Sequence, residues 1–301
     1  MKIFIAALLI ASVASSPRFE SRIGSGVDAK DGQAKCYVTL VIEGENTGVK
    51  NCGGCLIVPE ERIVTSASCV MSASEGKATS IKVYPGLKGP SGMEVKNEIL
   101  DIYPFAEFSA SNNLSRGDVA MITFADRFKT VKDKFEAAVL PSEDKADAYV
   151  GQNLFVCGFG NTDNKKSKPK TLQCTTLRVV PSAVCDALMV PAPAPGAAGE
   201  TTTTTAATTS TGPATAKKGL ICTKNLSDKN VCGGDLGAPV YSNVTGMPTL
   251  VGVVSLYPDT RPNARCLDGH HVVITQLGVY KDFLNDPTKP PATTVAPTAA
   301  P

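Results

Sequence analysis

Short apolar runs alternate with turn-forming residues along most of the chain. Seven segments combine β-branched and aromatic residues, namely CYVTLVI, CLIVPEERIVTSA, SIKVYPG, DVAMITF, NLFVCGFG, TLVGVVSLYP and HHVVITQL. Because helical periodicity is almost absent, this spacing predicts an all-β barrel or sandwich. One helix is predicted near the C-terminus over LGVYKDFLND, where Leu277, Tyr280, Phe283 and Leu284 recur at helical spacing.

The N-terminus has the pattern of a secretory signal peptide. Lys2 precedes an apolar run over residues 3–10, and Val13-Ala14-Ser15 has the small-x-small pattern that signal peptidase prefers. We therefore expect residues 1–15 to be a signal peptide. The apolar run is too short to span a bilayer, and no later run reaches about 18 apolar residues. The sequence predicts a secreted, extracellular protein that is not held in a membrane.

Two segments contain too few large apolar residues to form a core. Residues 191–218 and 287–301 consist largely of Thr, Ala and Pro. In a secreted protein such tracts are typical of mucin-like, O-glycosylated chains, and a bare flexible linker is the alternative. Because the first tract lies between Cys185 and Cys222, we expect an insert within one domain. Sequons for N-glycosylation stand at Asn113, Asn225 and Asn243.

Charge and cysteine content narrow the classes of function. A formal net charge of +2 without a long basic run argues against nucleic acid or an anionic membrane as partner. Ten cysteines in a secreted chain predict up to five disulfides. A redox role for Cys52-Gly-Gly-Cys55 is disfavoured because no thioredoxin-like βαβ pattern surrounds it. The only histidines, His270 and His271, are far from any cysteine pair with ligand spacing, so we expect no metal and no cofactor.

Eight motifs occur in a single order along the chain. They are SRIGSG, NCGGCLIVPEERIVTSASCV, GDVAMITF, FVCGFG, LICT, VCGGDLGAPVY, LVGVVSLYP and HVVITQL. Together they resemble the trypsin/chymotrypsin-like serine protease family, from about residue 23 to residue 284 apart from the Thr-rich insert. The resemblance implies a domain over residues 23–286 with two packed six-stranded antiparallel β-barrels, a cleft between them and a C-terminal helix.

Two of the three catalytic positions of that family are replaced in this chain. Ser68 takes the place of the histidine within TSASC, and Leu236 takes the place of the serine within GDLGAP, whereas Asp118 matches the aspartate. A hydroxyl is not a base near neutral pH, and leucine has no nucleophilic atom. The resemblance therefore implies a catalytically inactive homologue, in which the N–H groups of Gly234 and Leu236 match the oxyanion hole. A hydrolase that uses other residues is the remaining enzymatic alternative.

The resemblance also places a specificity pocket and an activation site. The pocket positions match Asn230, Ser255, Tyr257 and Val272. Because Tyr257 and Val272 are bulkier than the family's glycines, we expect them to fill the pocket. The Arg22-Ile23 bond resembles the activation bond, so residues 16–22 form a short propeptide. Cleavage there frees an ammonium on Ile23 to pair with Asp235; the alternative is that both residues are unused remnants.

The disulfide pattern follows partly from the resemblance. Three pairs match family bridges, namely Cys52–Cys69, Cys185–Cys222 and Cys232–Cys266. For the remaining cysteines we predict Cys157–Cys174 between neighbouring strands of the second barrel and Cys36–Cys55 within the first.

These expectations lead to two hypotheses of different classes. The first is a secreted, non-catalytic serine protease homologue that binds an extracellular partner as a protease cofactor, decoy or immune factor, the partner being an active protease, a zymogen or a matrix glycan. The second is a mucin-like structural component of an extracellular secretion or matrix, with the Thr-rich segments as its working parts and the barrels as a stable carrier.

Overall fold

The structure is a computed structural model that describes most of the predicted domain. The described residues are 26–44, 48–72, 76–78, 80–108, 117–129, 135–142, 147–161, 168–181, 183–184, 219–226, 231–243, 248–256 and 271–289. The predicted signal peptide, propeptide and Thr-rich insert lie outside them, as does the tail beyond residue 289. Within the described part, no helix combines the length and apolarity needed to cross a bilayer.

Antiparallel strands make up most of the described chain. The strands of the first half are β1 Val27–Asp28, β2 Tyr37–Gly44, β3 Gly48–Ile57, β4 Arg62–Thr65, β5 Met71–Ser72, β6 Gly76–Lys77, β7 Ser80–Pro85, β8 Ile99–Pro104 and β9 Ala120–Phe124. Those of the second half are β10 Asn153–Gly158, β11 Gln173–Val180, β12 Leu220–Asn225, β13 Pro239–Ser242, β14 Thr249–Leu256 and β15 His271–Gln276. The helical segments are α1 Ala67–Val70, the 3-10 turns Gly89–Ser91 and Leu277–Tyr280, and α2 Lys281–Asn285.

The strands form two main sheets, and only the second closes. Its order is β11-β10-β13-β14-β15-β12, and pairing of β11 with β12 completes a six-stranded barrel, to which β1 adds on β11. The first sheet has the order β7-β2-β3-β4-β9-β8. Its end strands do not pair with each other in the described chain, and β7 forms a bridge from Val83 to Val95 instead. The all-β, two-sheet fold is confirmed, but the first of the two predicted barrels is a half-barrel.

Strands β4 and β9 are buried on both faces over most of their length, which explains their largely apolar sequences. Ile63 and Ile122 pack in the core of the half-barrel, whereas Val64 and Met121 pack into the core of the second barrel. Successive side chains on a strand point to opposite faces, so a strand between two cores is apolar on both faces, and Arg62 and Thr123 are the positions that stay partly accessible. The packing of one barrel on the other thus accounts for the runs RIVT and AMITF.

The two barrels come into backbone contact at Gly53 of β3. Its N–H donates to the carbonyl of Leu236 at 2.8 Å, and its own carbonyl accepts from Thr65 Oγ1 at 2.8 Å. A Cβ on Gly53 would lie 2.5 Å from Ala238 Cα, so no larger residue fits there. Gly237 has a φ of +73° and a Cβ there would overlap Thr65 Oγ1. These contacts join the NCGGC and GDLGAP motifs across the junction.

The predicted C-terminal helix is confirmed, and it is anchored to both halves of the fold. Leu284 is fully buried, and the Tyr280 hydroxyl accepts from Gly117 N at 3.0 Å. The Arg62 guanidinium of β4 donates to Asn285 O at 2.8 Å. Because Arg62 satisfies a carbonyl that has no partner within the helix, it acts as a C-terminal cap.

Disulfides brace each barrel. The bonds are Cys36–Cys55 and Cys52–Cys69 in the half-barrel, and Cys157–Cys174 in the second barrel. All three agree with the predicted pairs. Cys222 and Cys232 are also disulfide-bonded, and their predicted partners, Cys185 and Cys266, lie outside the described residues.

A glycine-to-alanine pair tests the close contact between the barrels. Gly237 and Gly151 have similar φ angles, +73° and +80°, but a Cβ on Gly151 meets no atom within 4 Å. We expect Gly151→Ala to lower the free energy of unfolding by about 1 kcal/mol through the left-handed backbone alone. Gly237→Ala adds overlap with Thr65 and Gly53, and we expect a loss of about 3 kcal/mol. Urea denaturation measures both losses, and equal losses would contradict the close junction.

Candidate functional site

Ser68 lies at the junction of the barrels because of the short helix α1. Strand β4 ends at Thr65, and Ser66 remains extended, with φ −83° and ψ 145°, before the helix begins. Ala67 and Cys69 are buried in the half-barrel core, and Cys69 is tied to Cys52 of β3. Ser68 itself is only partly buried. The buried neighbours and the disulfide thus hold Ser68 at the seam, the junction between the half-barrel and the second barrel.

Asp118 receives hydrogen bonds from both barrels. It is 2% exposed, and its carboxylate accepts from Ser68 N at 2.7 Å and from Ser68 Oγ at 3.0 Å. From the second barrel, Ser255 Oγ donates to the same carboxylate at 2.6 Å. Thr275 Oγ1 donates to the backbone carbonyl of Asp118 at 2.9 Å. Asp118 therefore crosslinks the two barrels in addition to matching a catalytic position.

Burial destabilises the ionised form of Asp118, whereas the hydrogen bonds that its carboxylate accepts stabilise that form. Burial raises the pKa of Asp118 above its ordinary value, while hydrogen bonds from Ser255 and Ser68 and the charge of Lys50 oppose that rise. Lys50 is an exposed residue of β3 whose Nζ donates to the carbonyl of Ser68. Desolvation lowers the pKa of Lys50, and the attraction of Asp118 partly offsets this. Lys50 is the cation that faces the site.

Leu236 lies on the other side of the seam. Its side chain is half-buried and packs against the half-barrel core that contains Ala67 and Cys69. Ser68 Oγ lies 3.1 Å from Ser66 Oγ as well as contacting Asp118. The hydroxyl proton of Ser68 is therefore directed to a carboxylate, and Leu236 presents only carbon and hydrogen. Ser68 thus presents a hydroxyl, which is not a base near neutral pH, and Leu236 presents no nucleophilic atom.

Asp235 is buried in a backbone cradle next to Leu236. Its two carboxylate oxygens accept from Gly160 N at 2.7 Å and from Cys232 N at 3.0 Å. A Cβ on Gly158 or Gly160 would overlap the carboxylate, which explains both glycines of FVCGFG. Burial raises the pKa of Asp235 to about 6, opposed by these two N–H groups and by Lys168. Within the described residues, no lysine or arginine forms an ion pair with it.

The remaining predicted site residues are distributed as follows. Ser255, predicted to line the specificity pocket, directs its hydroxyl to Asp118. Val272 is fully buried in the core of the second barrel. Asn243 is exposed and Asn225 ends β12. Arg22, Ile23, Asn113, Asn230 and Tyr257 lie outside the described residues.

The described chain contains no group of three or more His, Cys, Asp or Glu residues arranged to hold a metal.

Two features of the site were not predicted from the sequence, namely the position of Lys50 beside Ser68 and the hydrogen bond from Ser255 to Asp118. Neither had a local signal in the sequence. Lys50 is one exposed lysine on a strand, and Ser255 of β14 reaches Asp118, which lies two residues before β9, only because the two barrels pack together.

Comparison with known proteins agrees with the fold. The family model described as Trypsin matches residues 23–274. The chain is 26% identical over 212 residues to the fibrinolytic enzyme, isozyme C, of Lumbricus rubellus, covering 69% of this chain and 77% of that protein. It is 23% identical over 295 residues to chymotrypsin-C of Bos taurus, covering 94% of this chain and 96% of that protein. The solved structure of HL collagenase has a TM-score of 0.66 and 23% identity, and the match covers 87% of this chain and 97% of that one.

Removing the carboxylate of Asp118 tests its role as a crosslink. Asp118→Ala leaves three donors without their acceptor, and we expect it to lower the free energy of unfolding by about 3 to 5 kcal/mol. Ser255→Ala removes one donor and leaves the carboxylate bonded to Ser68, so we expect a loss of about 1 kcal/mol. Urea denaturation with an unchanged m-value gives both losses. Similar losses for the two variants would contradict the crosslink.

The raised pKa of Asp235 predicts a pH dependence of stability. An unfolded aspartate titrates near about 3.9, whereas Asp235 titrates at about 6 in the folded protein. The folded state binds the extra proton between these values, so the contribution of Asp235 to stability falls as the pH rises through this window and is constant above it. The fall amounts to about 3 kcal/mol.

The measurement compares the wild type with Asp235→Asn, both with the Arg22–Ile23 bond intact. The variant has no titrating group at this position, so the difference between the two unfolding free energies should change by about 2 kcal/mol between pH 4 and pH 7, because the unfolded aspartate is already half ionised at pH 4. Parallel pH profiles for the two proteins would contradict the buried, proton-binding state of Asp235.

Proposed function

Since the chain belongs to the trypsin family, whose model matches residues 23–274, we propose that it is a serine protease homologue that acts by binding rather than by peptide cleavage. The observation that carries the proposal is the pair of replacements at the seam. Ser68 occupies the position of the base and donates its proton to Asp118. Leu236 occupies the position of the nucleophile. In this family, losing either group removes most of the rate.

A serine–lysine mechanism is the strongest enzymatic alternative, because Lys50 lies beside Ser68. In such a mechanism the amine must take the proton of the serine hydroxyl. Here Lys50 Nζ donates to the backbone carbonyl of Ser68, while Ser68 Oγ is bonded to Asp118. A protonated lysine bonded to a carbonyl is not a base for the neighbouring hydroxyl. The geometry favours a structural role for Lys50 over a catalytic one.

The scaffold is well suited to a binding function. The Asp118 crosslink, the close contact of the barrels at Gly53 and the disulfides hold the surface around the former catalytic centre in one arrangement. Disulfides persist in oxidising compartments, which supports a secreted, extracellular protein. The proposed partner is therefore another extracellular protein, such as an active protease or a zymogen that a rigid homologue would present or sequester.

Reactive-probe labelling tests the absence of hydrolysis. Wild-type protein, both intact and cleaved after Arg22, is incubated with a fluorophosphonate probe and with a panel of peptide substrates. We expect neither labelling at the seam nor turnover, because no serine there is activated by a base. The readouts are mass spectrometry of the labelled peptide and release of product.

The matched control restores both missing groups. Ser68→His together with Leu236→Ser rebuilds a base and a nucleophile beside Asp118, and labelling of the new serine would prove that the probe reaches the seam. Either single variant should stay unlabelled, since base and nucleophile act together. Labelling of the wild type at Ser66, Ser68 or Ser255, or turnover that Lys50→Met abolishes, would overturn the proposal.

A further inference from the structure

An open cleft of about 340 Å³ lies on the second barrel. The residues that line it include Val27, Gln33, Phe155, Cys174, Thr176 and Leu226, and none of these belongs to the seam. Its volume is at the lower end of the range typical of ligand pockets, about 300 to 1,000 Å³. The cleft therefore has room for a large side chain of a binding partner.

The cleft opens on the outer face of the barrel. Leu177 and Val179 of β11 are buried in the barrel core, whereas Thr176 between Cys174 and Arg178 is exposed. Because successive side chains of a strand alternate between its faces, the even-numbered residues of this strand point outward.

The floor and walls of the cleft are apolar and accessible. Phe155 is only partly buried, and its ring stacks on that of Tyr241 with centroids 5.0 Å apart and an angle of 20° between the planes. Val27 is 60% exposed and Leu226 is 52% exposed. Covering these groups with an apolar side chain would remove them from water, which is favourable.

Two cations lie on the same outer face, beside the cleft. Arg178 of β11 is paired with Lys224 of β12, and directly opposite residues of antiparallel strands share a face. Thr176 precedes Arg178 by two residues, Leu226 follows Lys224 by two residues, and both line the cleft. Since two residues of a strand span about 7 Å, the cations border the cleft at that distance.

Neither cation is neutralised by an acid of the described chain. Arg178 Nη1 donates to Asn153 Oδ1 at 3.1 Å, and the other N–H donors of its guanidinium have no acceptor among the described residues. The ammonium of Lys224 is exposed and forms neither an ion pair nor a hydrogen bond with any of them. Like charges directly opposite each other destabilise a sheet. An anionic group bound here would relieve that repulsion.

We propose that the cleft and these two cations, together the outer-face site, bind an extended segment of a protein partner in which one residue separates a large apolar residue from an acidic one. Residues i and i+2 of an extended chain point to the same side and are about 7 Å apart, which matches the step from the cleft to the cations. The apolar side chain packs on Phe155, and the carboxylate accepts charge-assisted hydrogen bonds from Arg178 and Lys224. The inference rests on the proposed function, because it names the surface that binds the extracellular protein partner.

The probe is an end-blocked peptide of Gly and Ser with Phe-Ser-Glu at its centre, used together with its isomer Glu-Ser-Phe because the site accepts either chain direction. Each peptide is titrated into ¹⁵N-labelled wild-type protein at low ionic strength, where ion pairs are least screened. We expect saturable shifts of the amide signals of Thr176, Arg178, Lys224 and Leu226. Replacing Phe by Ala in the peptide should weaken binding roughly tenfold, and replacing Glu by Gln should weaken it about threefold.

Variants of the protein test each half of the site separately. Val27→Ser should weaken binding of the Phe peptide about threefold through lost apolar contact. Val49→Ser is the matched control, because Val49 is a valine of similar exposure, 67%, on β3 of the half-barrel. It should bind as the wild type does.

The cations are tested by a double-mutant cycle. In the variant that combines Arg178→Met with Lys224→Met, the Glu and Gln peptides should bind equally, because the carboxylate then has no cation to contact. Lys281→Met is the matched control, since Lys281 is an exposed lysine of α2. It should preserve the difference of about threefold between the two peptides.

The absence of saturable shifts at the outer-face site with both isomers would overturn the inference. Equal affinities of the Phe and Ala peptides would do so as well, as would binding of a sulfated oligosaccharide at the two cations without any peptide binding. Hydrolysis of peptide substrates is measured separately. Turnover with peptide binding intact would contradict the proposed function alone, and the absence of both would contradict this inference alone.

Discussion

The burial of one carboxylate between two barrels is the constraint on which this architecture depends. Asp118 is almost completely removed from solvent, and a charge in that position requires donors from every side. Ser68 supplies two from the half-barrel and Ser255 supplies one from the second barrel. The half-barrel and the barrel must therefore remain in one relative position for the carboxylate to be satisfied. This requirement holds whether or not the site catalyses a reaction.

The glycines at the junction also hold the two barrels in one relative position. Gly53 and Gly237 let the backbones of the two barrels meet without a side chain between them, and the hydrogen bond from Gly53 to Leu236 fixes their register. The turn next to this contact is itself fixed by bonds from Asp235 N to Cys232 O and from Gly237 N to Val254 O. A scaffold held this tightly preserves the shape of a reactive centre after the reactive groups have been replaced, which is the physical basis for proposing that it binds.

Much of the fold was predictable from the sequence, because the strand-forming runs indicate an all-β fold and the order of the motifs indicates its arrangement in two sheets. The C-terminal helix and three disulfide pairs were also correct. Strand β8 was missed, since its sequence ILDIYP alternates weakly and only Ile102 of its six residues is buried. The open edge of the first barrel was not predictable, because hydrogen bonding between β7 and β8 depends on where the Val95 segment lies. The contact of Ser255 with Asp118 was not predicted either, because no local sign in the sequence indicates it.

The sequence by itself determined which atoms the site lacks. A serine within TSASC and a leucine within GDLGAP remain a serine and a leucine in any conformation, so the missing imidazole and hydroxyl are settled by covalent chemistry. Only the tertiary structure decided which residues surround those positions. Lys50, Ser255 and Lys168 have no distinctive pattern in the sequence, and each contacts a residue of another segment, Lys50 contacting Ser68, Ser255 contacting Asp118 and Lys168 lying against Gly234. Pairing and packing of the strands bring them together, and no local pattern encodes a contact such as that between Ser255 and Asp118, which are 137 residues apart in the chain.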